Sequence, residues 1–420
     1  MSASIKLSGL RLEDRPDGLT YLVSDIDFIG FDSTYDEREM WFSVENEDSN
    51  MFETRSYDAF FLVPLYLAMF HGATLRIEGN VSRTLYRNMM DYGQQILCDF
   101  SPALERVSVE IVGYENLGLS NDRLVGAGIS CGVDSLSTIY DRFVKEEDRD
   151  CKVSSLFLFN CGTHGDFEDE QSCRIFNDRF DRNSVAAREL GLPIHAVNSN
   201  LHAFTHKIGE QKLGFFAIYS CALSVQHAVK RYYVSSACEY GELLEFGKRY
   251  RDFDMAGYCE AYLVPLIKTE CFDLVLDGAQ RKRSGKVANI SGWNIAKRHM
   301  DVCVNPPVGM RNCSVCSKCK RTLIALEAMG LLDEYSGVFD IPKYRKVARA
   351  YKLEIVFRYG KEGFATDNVD FAREKGLALP GRPAAMAFGV VMSAKAAGKK
   401  ALKRIFGERR MKALKRRLVG

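Results

Sequence analysis

The sequence has no apolar run long enough to cross a bilayer. Its longest, Ala59 to Phe70, is about half of the roughly 20 residues a spanning helix needs, and it reads as a buried helix. The start, Met1-Ser2-Ala3-Ser4-Ile5-Lys6, lacks the basic head and apolar stretch of a secretory signal, so a cytoplasmic protein is expected. No Gly-x4-Gly-Lys-Ser/Thr phosphate loop occurs. Gly126-Ala-Gly128 lacks the third glycine of a dinucleotide fingerprint. There are no internal repeats. Thirteen cysteines, an odd number scattered through apolar segments, do not form the pattern of a disulfide framework; most suit small buried side chains in a reducing compartment.

What is present is a packable chain. Of 420 residues, 46% are hydrophobic and 27% charged, which suits one elaborated or two ordinary globular domains. The net charge of +2 conceals an asymmetry: residues 395–417 hold eleven Lys or Arg and one acid, Glu408. The remainder is therefore acidic.

Four segments are expected. Residues 1–120 read as an α+β accessory domain, with antiparallel strands at Leu19–Ser24 and Glu37–Val44, a buried helix over Tyr57–Phe70, a strand over Ala73–Gly79, a helix capped by Ser82 and a further strand over Val107–Ile111. From 121 the pattern becomes α/β. Apolar strands at 123–129, 153–160, 194–197 and 231–235 alternate with helices beginning near Leu136, Asn177 and Phe215, which predicts a parallel sheet over 121–335. Residues 336–394 read as a helical extension and 395–420 as a basic tail. In the tail, Leu402, Ile405, Phe406, Met411, Leu414 and Leu418 fall near one side of a helix; it suits an anionic membrane surface, an acidic partner or RNA.

Ser130-Cys131-Gly132-Val133-Asp134-Ser135 follows the first strand of the α/β segment and precedes a helix. Such a loop can hold phosphates: backbone N–H groups point inward, small residues allow approach, and a helix N-terminus lies behind. Ser130 and Ser135 offer hydroxyls, Gly132 allows close backbone approach, and Asp134 suits Mg²⁺. Downstream, Cys303-x9-Cys313-x2-Cys316-x2-Cys319 has the spacing of a closed four-thiolate Zn²⁺ site; an iron–sulfur cluster takes the same number of ligands. His202 and His206, at i and i+4, lack an evident third ligand, and Arg281-Lys282-Arg283 suits either phosphate or solvent.

The loop resembles the Ser-Gly-Gly-x-Asp-Ser signature of the PP-loop ATP pyrophosphatase superfamily, with Cys131 in place of the first glycine. Combined with the late cysteines, it is similar to the 7-cyano-7-deazaguanine synthase branch. Asn160-Cys161-Gly162, with His164 nearby, and Lys286 match further family segments; the resemblance covers roughly 120–330. It implies an adenine-nucleotide α-hydrolase-like fold with a C-terminal zinc-binding segment. It also implies an enzyme that cleaves ATP to AMP and pyrophosphate with Mg²⁺, adenylating a carboxylate or amide oxygen for attack by a nitrogen. The nucleotide would lie on 130–135, Asn160 and His164, with Asp134 and Lys286 catalytic. The substrate could be a small molecule or a protein carboxylate. An RNA-modifying PP-loop enzyme and a non-catalytic nucleotide-binding protein are the alternatives.

Overall fold

The computed structural model describes residues 3–31, 35–162, 169–208, 210–249, 259–303, 306 and 309–394. The chain divides into two compact units, one of residues 1–282 and 293–301, the other of 283–292 and 302–420.

The first unit is α/β around one ten-stranded, mostly parallel sheet. Its strands are β1 (Ser4–Asp14), β2 (Leu19–Ile29), β3 (Glu39–Glu45), β4 (Thr74–Ser82), β5 (Val109–Glu115), β6 (Leu124–Gly128), β7 (Ser155–Asn160), β8 (Ile194–Ser199), β9 (Val229–Ser235) and β10 (Asp273–Asp277). The spatial order is β10-β9-β6-β7-β8-β3-β2-β1-β4-β5. From β10 to β8 every pairing is parallel, and β1, β4 and β5 also run parallel. The β1–β2, β2–β3 and β3–β8 pairings are antiparallel.

The sheet runs without a break across residue 120. Phe42 pairs with Ser199 and Ser43 with Asn198, so the N-terminal strands and the parallel strands share one surface. Their side chains also share one core, in which Leu22, Phe42 and Phe60 pack with Phe157, Val197 and Phe216. Two strands escaped the reading of the sequence. β1 is paired on both sides and buries Ile5 and Leu7; β10 is only five residues long.

Four helices matter here. α1 (Leu62–His71) is buried from Leu62 through Met69, as an apolar stretch too short for a membrane should be. α2 (Val133–Ile139) follows β6. α3 (Glu170–Leu190) begins seven residues before the expected start, capped by the Asp169 carboxylate, which accepts the Ser172 N–H at 2.9 Å. It ends at Gly191 in the left-handed conformation, φ 69°, where glycine carries no Cβ penalty. α4 (Glu210–Ser224) ends before the expected limit, and a turn leads into β9. Ser82 occupies the N-cap position of the helix Arg83–Asn88, but its hydroxyl donates to Asp58 at 2.6 Å instead of capping. A buried carboxylate outcompetes a local cap.

The second unit is helical: α5 (Arg283–Ile290), α6 (Ser317–Ala328), α7 (Ile341–Arg358), α8 (Gly363–Glu374) and α9 (382–394). Ile324, Tyr351, Ile355, Ala365 and Val369 form a small core. The Asp367 carboxylate caps α5, accepting the Ser284 N–H at 3.0 Å and its hydroxyl. No helix among the described residues is long and apolar enough to cross a membrane.

Candidate functional site

The parallel half of the sheet fixes where a ligand can approach. In chain order its strands are β6, β7, β8, β9 and β10; in space they lie as β8-β7-β6-β9-β10. The strand order therefore reverses at β6. Consecutive connections leave this strand to opposite sides, opening a crevice at the carboxyl ends of β6 and β9. Residues 130–135 follow β6 directly at that end.

Sheet packing explains the glycines ahead of the loop. A Cβ on Gly126 would lie 2.9 Å from the Tyr232 ring on β9 and 3.0 Å from Phe157 on β7. Gly126-Ala-Gly128 is therefore a packing feature rather than a phosphate fingerprint.

The loop is internally hydrogen-bonded. Ser130 and Ser135 hydroxyls lie 3.0 Å apart, the Gly132 N–H donates to Ser130 Oγ at 3.3 Å, and Ser135 Oγ donates to the Gly132 carbonyl at 3.2 Å. Gly132 is the N-cap of α2, whose first turn holds Val133, Asp134 and Ser135. Ser130 is exposed, Gly132 and Asp134 are half-buried, and Val133 and Ser135 are buried. Two hydroxyls, a glycine and a helix start thus meet at the crevice.

Cys131 is the departure from the signature, and its backbone explains why glycine suits that position. Its φ is +53°, one of two positive values on non-glycine residues among the described residues. An L-residue in this region is strained by about 1–2 kcal/mol. The side chain is fully buried in a small core with Val125, Ile129 and Ile139. A thiol without solvent access does not fit the reactive cysteine that a helix N-terminus can create.

Three residues outside the motif hold the loop. Asn183 on α3 donates to the Ile129 carbonyl at 3.0 Å. The Asp301 N–H donates to the Cys131 carbonyl at 2.8 Å. Arg182, next to Asn183, reaches the Asp301 carboxylate at 3.2 Å with its side chain 27% exposed. A cation therefore stands beside the loop. No spacing in the sequence announces it, because Arg182 and Asp301 meet only through the fold.

Asn160 ends β7 and is buried. Its amide donates to Asn198 on β8 at 3.1 Å, one strand away from β6. His164 lies outside the described residues. Lys286 is fully buried on α5 and belongs to the second unit, with the cysteines. His202 and His206 are joined through His206 Nδ1 and the His202 carbonyl, at 2.7 Å, which is a helical contact rather than metal ligation.

The four cysteines converge. Their Sγ atoms all lie within 4.8 Å of one another. Cys303–Cys316 and Cys313–Cys319 are 3.9 Å apart, and Cys316–Cys319 3.4 Å. A tetrahedral Zn²⁺ with Zn–S bonds near 2.3 Å needs sulfurs about 3.8 Å apart. The cluster can hold a metal such as zinc. A multi-iron cubane would splay the sulfurs further, since each binds a different iron.

The supporting shell is built for thiolates. The Cys316 N–H donates to Cys313 Sγ at 3.2 Å and the Cys319 N–H to Cys316 Sγ at 3.5 Å. Burial opposes the Cys313 thiolate, yet N–H groups of Val315 and Cys316 bring its thiol down to about 7. Burial pushes Cys303 up to about 11 and raises Cys319 further. Asn312 clamps the ends of the motif, accepting the Val302 N–H at 2.8 Å and donating to the Val338 carbonyl at 3.0 Å. Ser314, at φ +63°, turns the chain between the first two knuckle cysteines, and its buried hydroxyl accepts the Asp340 N–H at 2.8 Å.

Neither a protein-family model, nor a curated protein, nor a solved structure matches this chain.

Proposed function

We propose that the chain is an ATP-dependent enzyme of the PP-loop type, which activates a carboxylate or amide oxygen as its adenylate and passes the activated group to a nitrogen nucleophile. The observation that carries this reading is the position of residues 130–135: at the carboxyl end of β6, where the strand order reverses, and at the start of α2. The downstream four-cysteine cluster supports the same branch of the superfamily.

In this reading ATP lays its phosphates along 130–135. The Ser130 and Ser135 hydroxyls exchange their mutual hydrogen bond for phosphate oxygens, and the Gly132 backbone makes the close approach. Asp134 holds Mg²⁺, which offsets its repulsion of phosphate. A substrate oxygen attacks the α-phosphorus and the bond to the bridging oxygen breaks, releasing pyrophosphate. The loop amides and Arg182 spread the developing charge, and a Mg²⁺ held by Asp134 would supply further neutralisation of the phosphates. A nitrogen nucleophile then displaces AMP. The metal on the four cysteines is structural, with no open position for water.

The test is a screen of carboxylate substrates with ATP and Mg²⁺, following AMP and pyrophosphate. Release of ADP and phosphate instead removes the proposal. A non-catalytic nucleotide-binding protein is the second reading, favoured by Cys131 where the signature has glycine. Tight ATP binding by calorimetry, with no turnover on any substrate class, would support it.

A further inference from the structure

The second unit carries its charge unevenly. Over Ile341–Arg358, α7 holds six Lys or Arg and one acid, Glu354. Arg345, Arg349 and Lys352 recur at i, i+4 and i+7, so they share one helical face and span about 10 Å along the axis. This face lines a groove of about 550 Å³, completed by Glu327 on α6 and by Ala378-Leu379-Pro380 beyond α8.

The one acid in the groove is already neutralised. The Lys352 ammonium lies 2.7 Å from one oxygen of Glu327, and the Tyr344 hydroxyl donates to the other at 2.9 Å. Arg349 is exposed and has no hydrogen bond or ion pair among the described residues. Arg345 meets Asp333 at 2.9 Å, but their side chains are 59% and 81% exposed, so the pair is weak and readily exchanged. Two guanidinium groups therefore stand ready for an anion, in a groove with no uncompensated acid to repel it.

The shape and the chemistry together select the anion. Guanidinium forks match phosphate oxygens in bidentate fashion. Arg345 and Arg349 are about 6 Å apart along the helix, close to the spacing of neighbouring phosphates in an extended strand. Leu379 and Pro380 are half-buried and give a sugar or base an apolar surface to pack on. Just ahead of them in the chain, Arg373 at the end of α8 lies 4.8 Å over the Tyr359 ring, which is 41% exposed. Guanidinium planes and open aromatic rings are where unstacked bases settle. A duplex is too broad to enter, and a flat bilayer cannot reach apolar atoms recessed in a groove.

We infer that the α7 groove is a docking site for single-stranded nucleic acid, with Arg345 and Arg349 as phosphate ligands. The groove lies wholly within the second unit, and the inference does not depend on the reaction proposed above.

The test is fluorescence anisotropy of a labelled polyuridylate 12-mer with the full chain, over a range of salt. Affinity should fall as salt rises. Arg345→Glu with Arg349→Glu should weaken binding by about tenfold or more and flatten the log–log salt slope by about 1.4, the loss of two single-strand phosphate contacts. Both side chains are exposed, so the thermal melt should match the parent's. Arg349→Ala, which strands no partner, should weaken binding by a smaller factor in the same direction. Equal affinity of parent and double variant overturns the inference. So does a parent that fails to bind the 12-mer at low salt, or one that binds polyglutamate as tightly.

Discussion

The backbone N–H of Asp301 holds the carbonyl of Cys131 at 2.8 Å, and the same aspartate's carboxylate holds Arg182 at 3.2 Å. One residue thus ties a strained loop to a cation on α3. If phosphate binds here, Arg182 is already positioned to meet it. Arg182→Ala should raise the KM for ATP by about tenfold, as expected for a lost charge-assisted contact, while the fold persists. A melting temperature that drops with no change in KM would mean that Arg182 only braces Asp301.

Cys131 gives a reversed preference. At φ +53°, alanine keeps the steric penalty and loses the buried sulfur, whereas glycine removes the penalty. Cys131→Gly should therefore be more stable than Cys131→Ala by about 1 kcal/mol, measured by urea denaturation. Native protein should also resist alkylation at this thiol, because the side chain is fully buried.

Asp134→Ala should abolish release of pyrophosphate yet leave the melting temperature near the parent's. The residue is only half-buried in the first turn of α2, where an acid contributes a few tenths of a kcal/mol to about 1 through the helix dipole. Retained turnover would remove its assigned role.

Metal analysis of the purified chain should find about one zinc per molecule. Cys316→Ser should lose the ion and lower stability, since its sulfur also caps α6 by accepting the Cys319 N–H. Chelation or acidification should do the same to the parent, because thiolates must be deprotonated to bind. A cysteine variant that keeps its metal and its melting curve would contradict this.

Asp58 offers a stability prediction away from the loop. It is fully buried and accepts from the Ser56 hydroxyl, the Ser82 N–H and hydroxyl, and the Gln226 amide, at 2.6–2.8 Å. Asp58→Ala would strand these donors and should cost about 3–5 kcal/mol in urea denaturation. Burial raises the carboxyl's pKa in the fold, against the pull of those donors. The folded state then binds the proton more tightly than the unfolded chain, so this residue's contribution falls as pH rises through the folded pKa. Asp58→Asn should remove that slope.

The features legible in the sequence were the local ones. Ser130–Ser135 and Cys303–Cys319 are set by short spacings, and the alternation of strands and helices after residue 121 reflects periodicity within each element. The missed features join distant residues. Arg182 and Asp301 acquire their relation only when α3 and the segment 293–301 fold back on β6. The β3–β8 pairing, which puts residues 1–120 and the parallel strands in one sheet, leaves no pattern in either strand alone. Ser82 shows the converse: a correct local N-cap signal, overruled because Asp58 needs its hydroxyl more.

The same β3–β8 seam sets a timetable for synthesis. The ribosome delivers β3 about 150 residues before its partner. Until then Met40, Phe42 and Val44 have no completed core, and one edge of the strand is open to wrong pairing. Such late, long-range pairing slows folding and exposes aggregation-prone surface. Ribosome-bound chains halted before residue 194 should therefore recruit holding chaperones, and chains halted well after residue 235 should release them.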